Sequence, residues 1–202
     1  MSSQIIDATA ADAQRIGKTI AAAFRHDPFN AWLLQSEPLR RTLFALYARH
    51  LYLRRGMCQL AQSDQGGEIV GATMWIRSEE QQSLGVSTML SVAIKTLMTQ
   101  GPKVLIRMLQ VDAAMKKHHP KEPHLYLFTI GVLDSARGTG KGRALMVDVL
   151  NQCDSENLPV YLESTNPDNH GYYASLGFET LKVIHPIADA PPLELMWREP
   201  LR

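Results

Sequence analysis

The segment DSARGTGKGRAL, residues 134–145, constrains this chain more than any other: three glycines and three basic residues stand between two apolar blocks. Before it runs HLYLFTIGVL, residues 124–133, nearly unbroken in apolar and β-branched side chains, as in a strand buried on both faces. After it, Leu145, Met146, Val149, Leu150 and Cys153 recur on one helical face. A buried strand that passes through a glycine turn into an amphipathic helix calls for a layered α/β architecture. Glycines in such a turn let successive backbone N–H groups approach an anion, and the helix N-terminus adds the positive end of its dipole. The composition is that of a phosphate cradle.

Two familiar cradles are excluded by spacing. A nucleoside-triphosphate loop ending at Gly140-Lys141 would have Ser135 where its first glycine belongs and Gly142 where a hydroxyl should hold magnesium. A dinucleotide fingerprint beginning at Gly138 would have Arg143 at its third glycine. The run Arg137-Gly138-Thr139-Gly140-Lys141-Gly142 does fit R-x-x-G-x-G, and Arg137, Lys141 and Arg143 offer charge-assisted bonds to a pyrophosphate.

The remaining chain reads as one domain, residues 1–202, without repeats. QIIDAT is a first strand, and Thr9 with Asp12 forms a helix start before Ala13, Ile16, Gly17, Ile20 and Phe24. Asp27-Pro28 should close that helix, and a second helical region runs from about 29 to 55, where Gly56 stops it. A hairpin follows, with strands near 57–63 and 68–77 about a turn at 64–67. Residues 78–122 form a helical insertion. In it Val86, Met89, Leu90, Ala93, Ile94 and Leu97 make one apolar stripe, Gly101-Pro102 interrupts, and Val104, Leu105, Met108, Leu109, Asp112 and Met115 mark a second helix. LPVYLEST is another buried strand, a short helix begins after Pro167, and strands near 178–185 and 193–198 complete a mixed sheet. The expected class is α/β (α+β).

With Lys and Arg nearly balanced by Asp and Glu, the net charge is +1, which argues against a surface devoted to nucleic acid or anionic lipid. The start MSSQIIDATAADAQ lacks a basic and an apolar signal region, and Val86 to Met98 is too short and polar to span a bilayer. A cytoplasmic protein is expected, with no nucleic-acid or membrane partner. Cys58 and Cys153 have no metal-type spacing, nor do His118, His119 and His124, so no metal is expected. The oligomeric state, monomer or homodimer, stays open.

Some thirty residues after the cradle stands YYASLGF, with Tyr173 four residues before Gly177-Phe178. Strand, R-x-x-G-x-G loop, helix, YLES strand and Y-x-x-x-G-F, in that order over residues 124–180, resemble the GNAT superfamily of acetyl-CoA-dependent N-acetyltransferases. HLYLFTIGVL, YLESTNPDN, LELMWREP and the helical insertion resemble its puromycin N-acetyltransferase-like branch. The resemblance implies a mixed, mostly antiparallel central sheet flanked by helices. It also implies acetyl-CoA as co-substrate, a small-molecule amine as acceptor, and direct attack within a ternary complex. Ile130, Gly131 and Val132 would present backbone groups to the pantetheine arm, with the Val132 N–H as oxyanion donor. Arg137, Gly138, Thr139, Gly140, Lys141, Gly142 and Arg143 would hold the pyrophosphate. Tyr173 would protonate the departing sulfur. Asn166 or Asn169 would bond the pantetheine, and either side chain equally suits a helix cap. A protein lysine or N-terminal acetyltransferase, and a non-catalytic acyl-CoA-binding module, are the alternatives.

An amine of ordinary pKa costs about 4.6 kcal/mol to deprotonate at pH 7. Glu163, at the C-terminal end of the buried run VYL, is therefore the candidate base, or else a group that orients the acceptor. His26, Asp27, Phe29 and Trp32 offer aromatic surface and one carboxylate for a cationic or aromatic amine, opposite an insertion that walls the acceptor site. Lys103, Arg107, Lys116, Lys117 and Lys121 read as a solvated helix face.

Overall fold

A computed structural model describes residues 5–64, 66–80 and 83–201. Residues 1–4 (including the expected first-strand residue Gln4), Gln65 of the hairpin turn, and Gln81 and Gln82 of the insertion lie outside the described residues. The first strand, β1 (Ile5–Asp7), leads into a turn where the Thr9 N–H and hydroxyl donate to the Asp12 carboxylate at 2.9 and 2.8 Å. Then α1 (Ala13–Ala23) buries Ile16, Gly17 and Ile20 along the expected stripe.

Asp27-Pro28 opens the next helix instead of closing this one. Asp27 Oδ1 accepts the Asn30 N–H at 2.8 Å, and Pro28 sits in the first turn, where its missing N–H has no helical partner to lose. The single helical region expected from 29 to 55 is divided into α2 (Pro28–Leu33) and α3 (Glu37–Tyr47), because the Ser36 hydroxyl caps a new start by accepting the Leu39 N–H. A π-helical turn, Ala48–Tyr52, leads to α4 (Leu53–Arg55), and Gly56 ends it.

The hairpin is β2 (Met57–Gln62) and β3 (Ile69–Arg77); the insertion is α5 (Val86–Gln100) and α6 (Pro102–His118). After it come β4 (Leu125–Val132), α7 (Lys141–Ser155), β5 (Val160–Ser164), α8 (His170–Ala174), β6 (Glu179–Ile184) and β7 (Leu193–Arg198). Among the described residues no helix is long and apolar enough to cross a membrane.

The seven strands are ordered β1-β2-β3-β4-β5-β7-β6, and every neighbouring pair is antiparallel except β4–β5. Side chains alternate across this sheet. Met74, Tyr126 and Tyr161 join Ile16, Ile20 and Tyr52 on one face. Trp75, Leu127 and Leu162 meet Met146, Val149, Leu150 and Cys153 of α7 on the other. Gly131 belongs to the first face. A Cβ there would lie 2.9 Å from that of Ala23, so the bare backbone is what lets α1 settle on β4.

The parallel pair is short. Leu125, Tyr126 and Leu127 pair with Val160, Tyr161 and Leu162, after which the strands part. β4 continues to Val132 with only β3 beside it, past a bulge at Met74/Trp75. The Leu133 N–H donates to the Val70 carbonyl, so the alternation of an antiparallel ladder turns the N–H and C=O groups of Ile130 and Val132 away from β3. They face the opening that β5 has left.

The apolar stripe of α5 points outward. Val86, Met89, Leu90, Ile94 and Leu97 are exposed, while Val92 packs near Leu34, Leu39 and Leu43, and the Thr96 hydroxyl meets the Met108 sulfur at 3.8 Å. The register of α5 is thus set by its narrow small-residue face against α3 and α6.

At the far end of the sheet, Arg198 of β7 grips Asp154 of α7 through two bonds of 2.7 Å, and its Nε donates to the Leu176 carbonyl at 2.9 Å. The arginine side chain is 3% exposed. Asp154→Ala strands that guanidinium, and a loss of about 3 kcal/mol is expected, read as a lower urea midpoint with unchanged slope. Arg198 holds the Asp154 carboxyl below the usual range by direct hydrogen bonding. The pair therefore stabilises above the ordinary carboxylate range and weakens as pH falls through the depressed value, so wild type and variant converge in acid.

Candidate active site

The opening between β4 and β5 leads to the glycine turn at one end. Gly138 and Gly140 have φ of 75° and 84°, a left-handed backbone that glycine adopts without strain. A Cβ at either would meet nothing within 4 Å, so the surface above them is open. The first bond of α7 runs from the Ala144 N–H to the Gly140 carbonyl at 2.9 Å. Hence the N–H groups of Lys141, Gly142 and Arg143 precede the helical ladder and have no acceptor within it. These donors at a helix N-terminus fit a pyrophosphate.

The side chains around that turn divide their work. Arg137 ties the turn to the end of α1, donating to the Ala23 carbonyl at 3.0 Å and pairing with Asp134 at 3.1 Å. The Thr139 hydroxyl donates to the Ala136 carbonyl at 2.7 Å. Arg143 is exposed on the first turn of α7. Lys141 departs from expectation: its side chain is 3% exposed and its Nζ lies 2.6 Å from Asp64 in the β2–β3 connection. A cation neutralised there has little left for an anion, so Lys141 contributes its backbone N–H and its charge is spent on joining turn to hairpin.

Below the opening lies a cavity of about 670 Å³. Thr129 and Ile130 of β4, Glu163 of β5, and Tyr173 of α8 all line it, with Asn169 at the start of α8. The Tyr173 ring is 6% exposed, wedged between Tyr172 and Phe178. Burial raises its phenol well beyond the ordinary value, with Tyr172 and Asp27 adding to the effect, so the hydroxyl keeps its proton at neutral pH. Glu163 has a side chain 4% exposed, and its Oε2 accepts the Tyr126 phenol at 2.5 Å. Burial, then the Glu163 charge, pushes Tyr126 far up, which makes it a fixed donor to the carboxylate.

The rest of the lining is aromatic and apolar. Phe24, Phe29, Phe44, Tyr47, Tyr52 and Phe128 form the walls nearest α1, α2 and α3. Met108, Val111 and Met115 of α6 close the opposite side, and Lys116, Lys117 and Lys121 stand along the edge, Lys116 paired with Asp112 at 2.7 Å.

Two residues expected at the acceptor site are engaged elsewhere. Trp32 does not line the cavity; Arg107 of α6 stacks 4.8 Å over its ring, so the indole joins α2 to the insertion. Arg107, expected on a solvated face, also pairs with Asp189 at 2.8 Å. Asp27 is buried, and its carboxylate oxygens are taken up in capping α2 and accepting the Thr165 hydroxyl at 2.7 Å, so it does not line the cavity. Of the two asparagines, Asn166 is the cap: its Oδ1 accepts the Asp168 N–H at 3.1 Å. His170 pairs with Glu194 at 2.8 Å on the surface.

Sequence reading named Phe29, which lines the cavity, but missed Tyr126 and the rest of the aromatic wall, Phe44, Tyr47, Tyr52 and Phe128. A signal existed, since Tyr126 and Phe128 alternate on β4 and Tyr126 registers beside Tyr161, which puts Glu163 one step up the same face. It also missed His119, which sits beside Glu163.

Residues 21–178 match the model of the acetyltransferase (GNAT) family. A crystal structure from Corynebacterium glutamicum, described as histone acetyltransferase HPA2 and related acetyltransferase, superposes with a TM-score of 0.74 at 30% identity, covering 100% of this chain and 98% of that one. Arylalkylamine N-acetyltransferase 2 of Aedes aegypti shares the fold, with a TM-score of 0.66 at 12% identity over 98% of this chain and 99% of that one. An uncharacterized N-acetyltransferase of Schizosaccharomyces pombe is 40% identical over 77 residues, 37% of this chain, which spans about a third (31%) of that relative. The splayed parallel pair, the glycine turn and the family match agree: the chain belongs to the acetyltransferase (GNAT) family.

Proposed function

We propose that this protein transfers the acetyl group of acetyl-CoA to the amine of a small molecule with an aromatic or apolar body. One observation carries the reading: Glu163, Tyr173 and the free edge of β4 open into a single, largely aromatic cavity. Aromatic walls bind a flat apolar body, and the Glu163 carboxylate attracts its ammonium group. The Aedes aegypti relative is named for arylalkylamines, which supports the same acceptor class here. YLESTNPDN and the helical insertion support placement in the puromycin N-acetyltransferase-like branch.

In this reading the turn from Arg137 to Arg143 holds the pyrophosphate, and Ile130 offers its N–H and C=O, and Val132 its N–H, to the amide-bearing arm; the Val132 carbonyl accepts the Arg137 Nε–H at 3.4 Å. Glu163 takes a proton as the amine nitrogen bonds to the thioester carbon. The Val132 N–H stabilises the oxygen on which charge develops. As the carbon–sulfur bond breaks, Tyr173 gives its proton to the sulfur. No cysteine lines the cavity among the described residues, and burial raises the thiols of Cys58 and Cys153 to about 12 and about 11. Both facts support direct transfer over an acetylated cysteine. The α6 wall serves as acceptor lid.

Thiol release measured against a panel of arylalkylamines, aliphatic polyamines and lysine peptides tests the proposal. Arylalkylamines are expected to exceed peptides in kcat/KM by about tenfold or more, because a covered pocket gains from apolar burial what a peptide cannot place there. Peptide preference would replace the small-amine reading, and acyl-CoA binding without turnover on any amine would leave a non-catalytic module.

A further inference from the structure

The reading of Glu163 as base raises a question about its second oxygen. Tyr126 satisfies Oε2, but Oε1 is buried with no hydrogen-bond partner among the described residues. Buried carboxylate oxygens are rarely left so. Facing Oε1 at 3.7 Å is Nδ1 of His119.

His119 reaches the site for a local reason. It ends α6, its N–H donating to the Met115 carbonyl at 2.9 Å, and Pro120 behind it disfavours further helix. The chain turns extended there and brings the imidazole back over the sheet. Tyr126 and Tyr161 meet the ring edge-on, each with centroids 5.0 Å away. The side chain is 19% exposed and lines the acceptor cavity, so it borders both Glu163 and solvent.

The tautomer follows from a chain of partners. His124 is fully buried, and its Nδ1 is 2.7 Å from the Glu122 carbonyl, which only accepts. Its Nδ1 therefore carries hydrogen. Burial lowers its pKa, keeping it neutral, so its Nε2 is bare. That atom is 3.2 Å from His119 Nε2, which must then be the donor. Neutral His119 is left with an unprotonated Nδ1, aimed at Glu163.

We propose that His119 is the positioning residue that resets Glu163: it accepts at Nδ1 the proton that the carboxylate has taken from the acceptor amine and passes it to water. Once the 19%-exposed ring swings in to close the 3.7 Å gap, the O–H bond at Oε1 breaks as the N–H bond at Nδ1 forms and the carboxylate is restored; as the ring swings back, the imidazolium loses that proton to solvent. An ordinary imidazole holds a proton more firmly than an ordinary carboxylate, so the transfer runs in the required direction. The charged groups about the ring are Glu163 on β5 and, along the cavity edge, Lys116, Lys117 and Lys121. The phenols of Tyr126 and Tyr161, both raised by burial, stay neutral, and His124 holds the ring without sharing the charge. The helical insertion thus supplies chemistry as well as a wall.

This rests on the base role of Glu163, and the experiments separate the two. Nitrogen-15 NMR of the free protein reads the tautomers without any substrate: His119 is expected protonated at Nε2 and His124 at Nδ1. The reverse tautomer overturns the proposal. In turnover with an accepted amine, His119→Ala is expected to lower kcat about a hundredfold with the KM for acetyl-CoA unchanged, free imidazole restoring part of the rate. His119→Gln, with melting temperature checked, guards against a folding defect. In the Glu163→Gln background His119→Ala should add nothing. An additive, unrescued loss sinks His119 alone, whereas a Glu163→Gln loss that is equal at every pH sinks the base assignment beneath it.

Discussion

Tyr173→Phe is expected to lower kcat by about 10²- to 10⁴-fold while the KM for acetyl-CoA changes little. The substitution removes one oxygen from a ring packed between Tyr172 and Phe178, so the wall of the cavity keeps its shape. What is lost, in the proposed mechanism, is a proton donor for the departing thiolate. Because burial raises this phenol, the hydroxyl remains protonated through the neutral and mildly alkaline range. Wild type should accordingly show no falling limb from this residue below about pH 10, the ordinary phenol value, and the ratio of variant to wild type should be flat with pH. Steady-state thiol release from pH 6 to 9 measures both. A variant with wild-type kcat would remove Tyr173 from the chemistry.

Glu163→Gln is expected to behave differently. Near pH 7, kcat/KM should fall by about a hundredfold or more, and the deficit should shrink as pH rises. The reason is the cost of about 4.6 kcal/mol for presenting a free amine at pH 7, which the solution itself supplies once pH approaches the amine's own pKa. Glutamine preserves the volume beside Tyr126 and can still accept its hydroxyl. A loss of equal size at every pH would show that the carboxylate only orients the acceptor. A flat ratio for one residue and a pH-dependent deficit for the other, within one cavity, make the pair a stronger test than either alone.

Much of the frame was legible because it is local. The strand at 125–132, the turn and the helix at 141–155 follow from an apolar run, glycines at positive φ and a helical stripe, all within neighbouring residues. The site was legible in part. Glu163 and Tyr173 stand on elements that periodicity and motif identify, yet nothing local marks where β4 and β5 stop pairing. Lys141 looked like a phosphate ligand because its nearest sequence neighbours are a glycine cradle; its partner Asp64 is 77 residues away. Asp27 and Trp32 looked available for the same reason, and long-range contacts with Thr165 and Arg107 occupy them. His119 and His124 lack metal spacing, which is true and beside the point, since Pro120 folds one onto the other. The α5 stripe was correctly apolar, but apolarity along a helix does not state which side its neighbours take.

In the proposed function, the parting of β4 from β5 would give this fold a thermodynamic dependence on its co-substrate. Beyond Leu127 the strand turns the Ile130 peptide groups and the Val132 N–H to the side that β5 leaves, and a guest carrying amides would pair with them only in the native state. Each hundredfold excess of such a guest over its dissociation constant adds about 2.7 kcal/mol against unfolding. Cellular endurance of the protein would then track the supply of acetyl-CoA, with the starved form melting first.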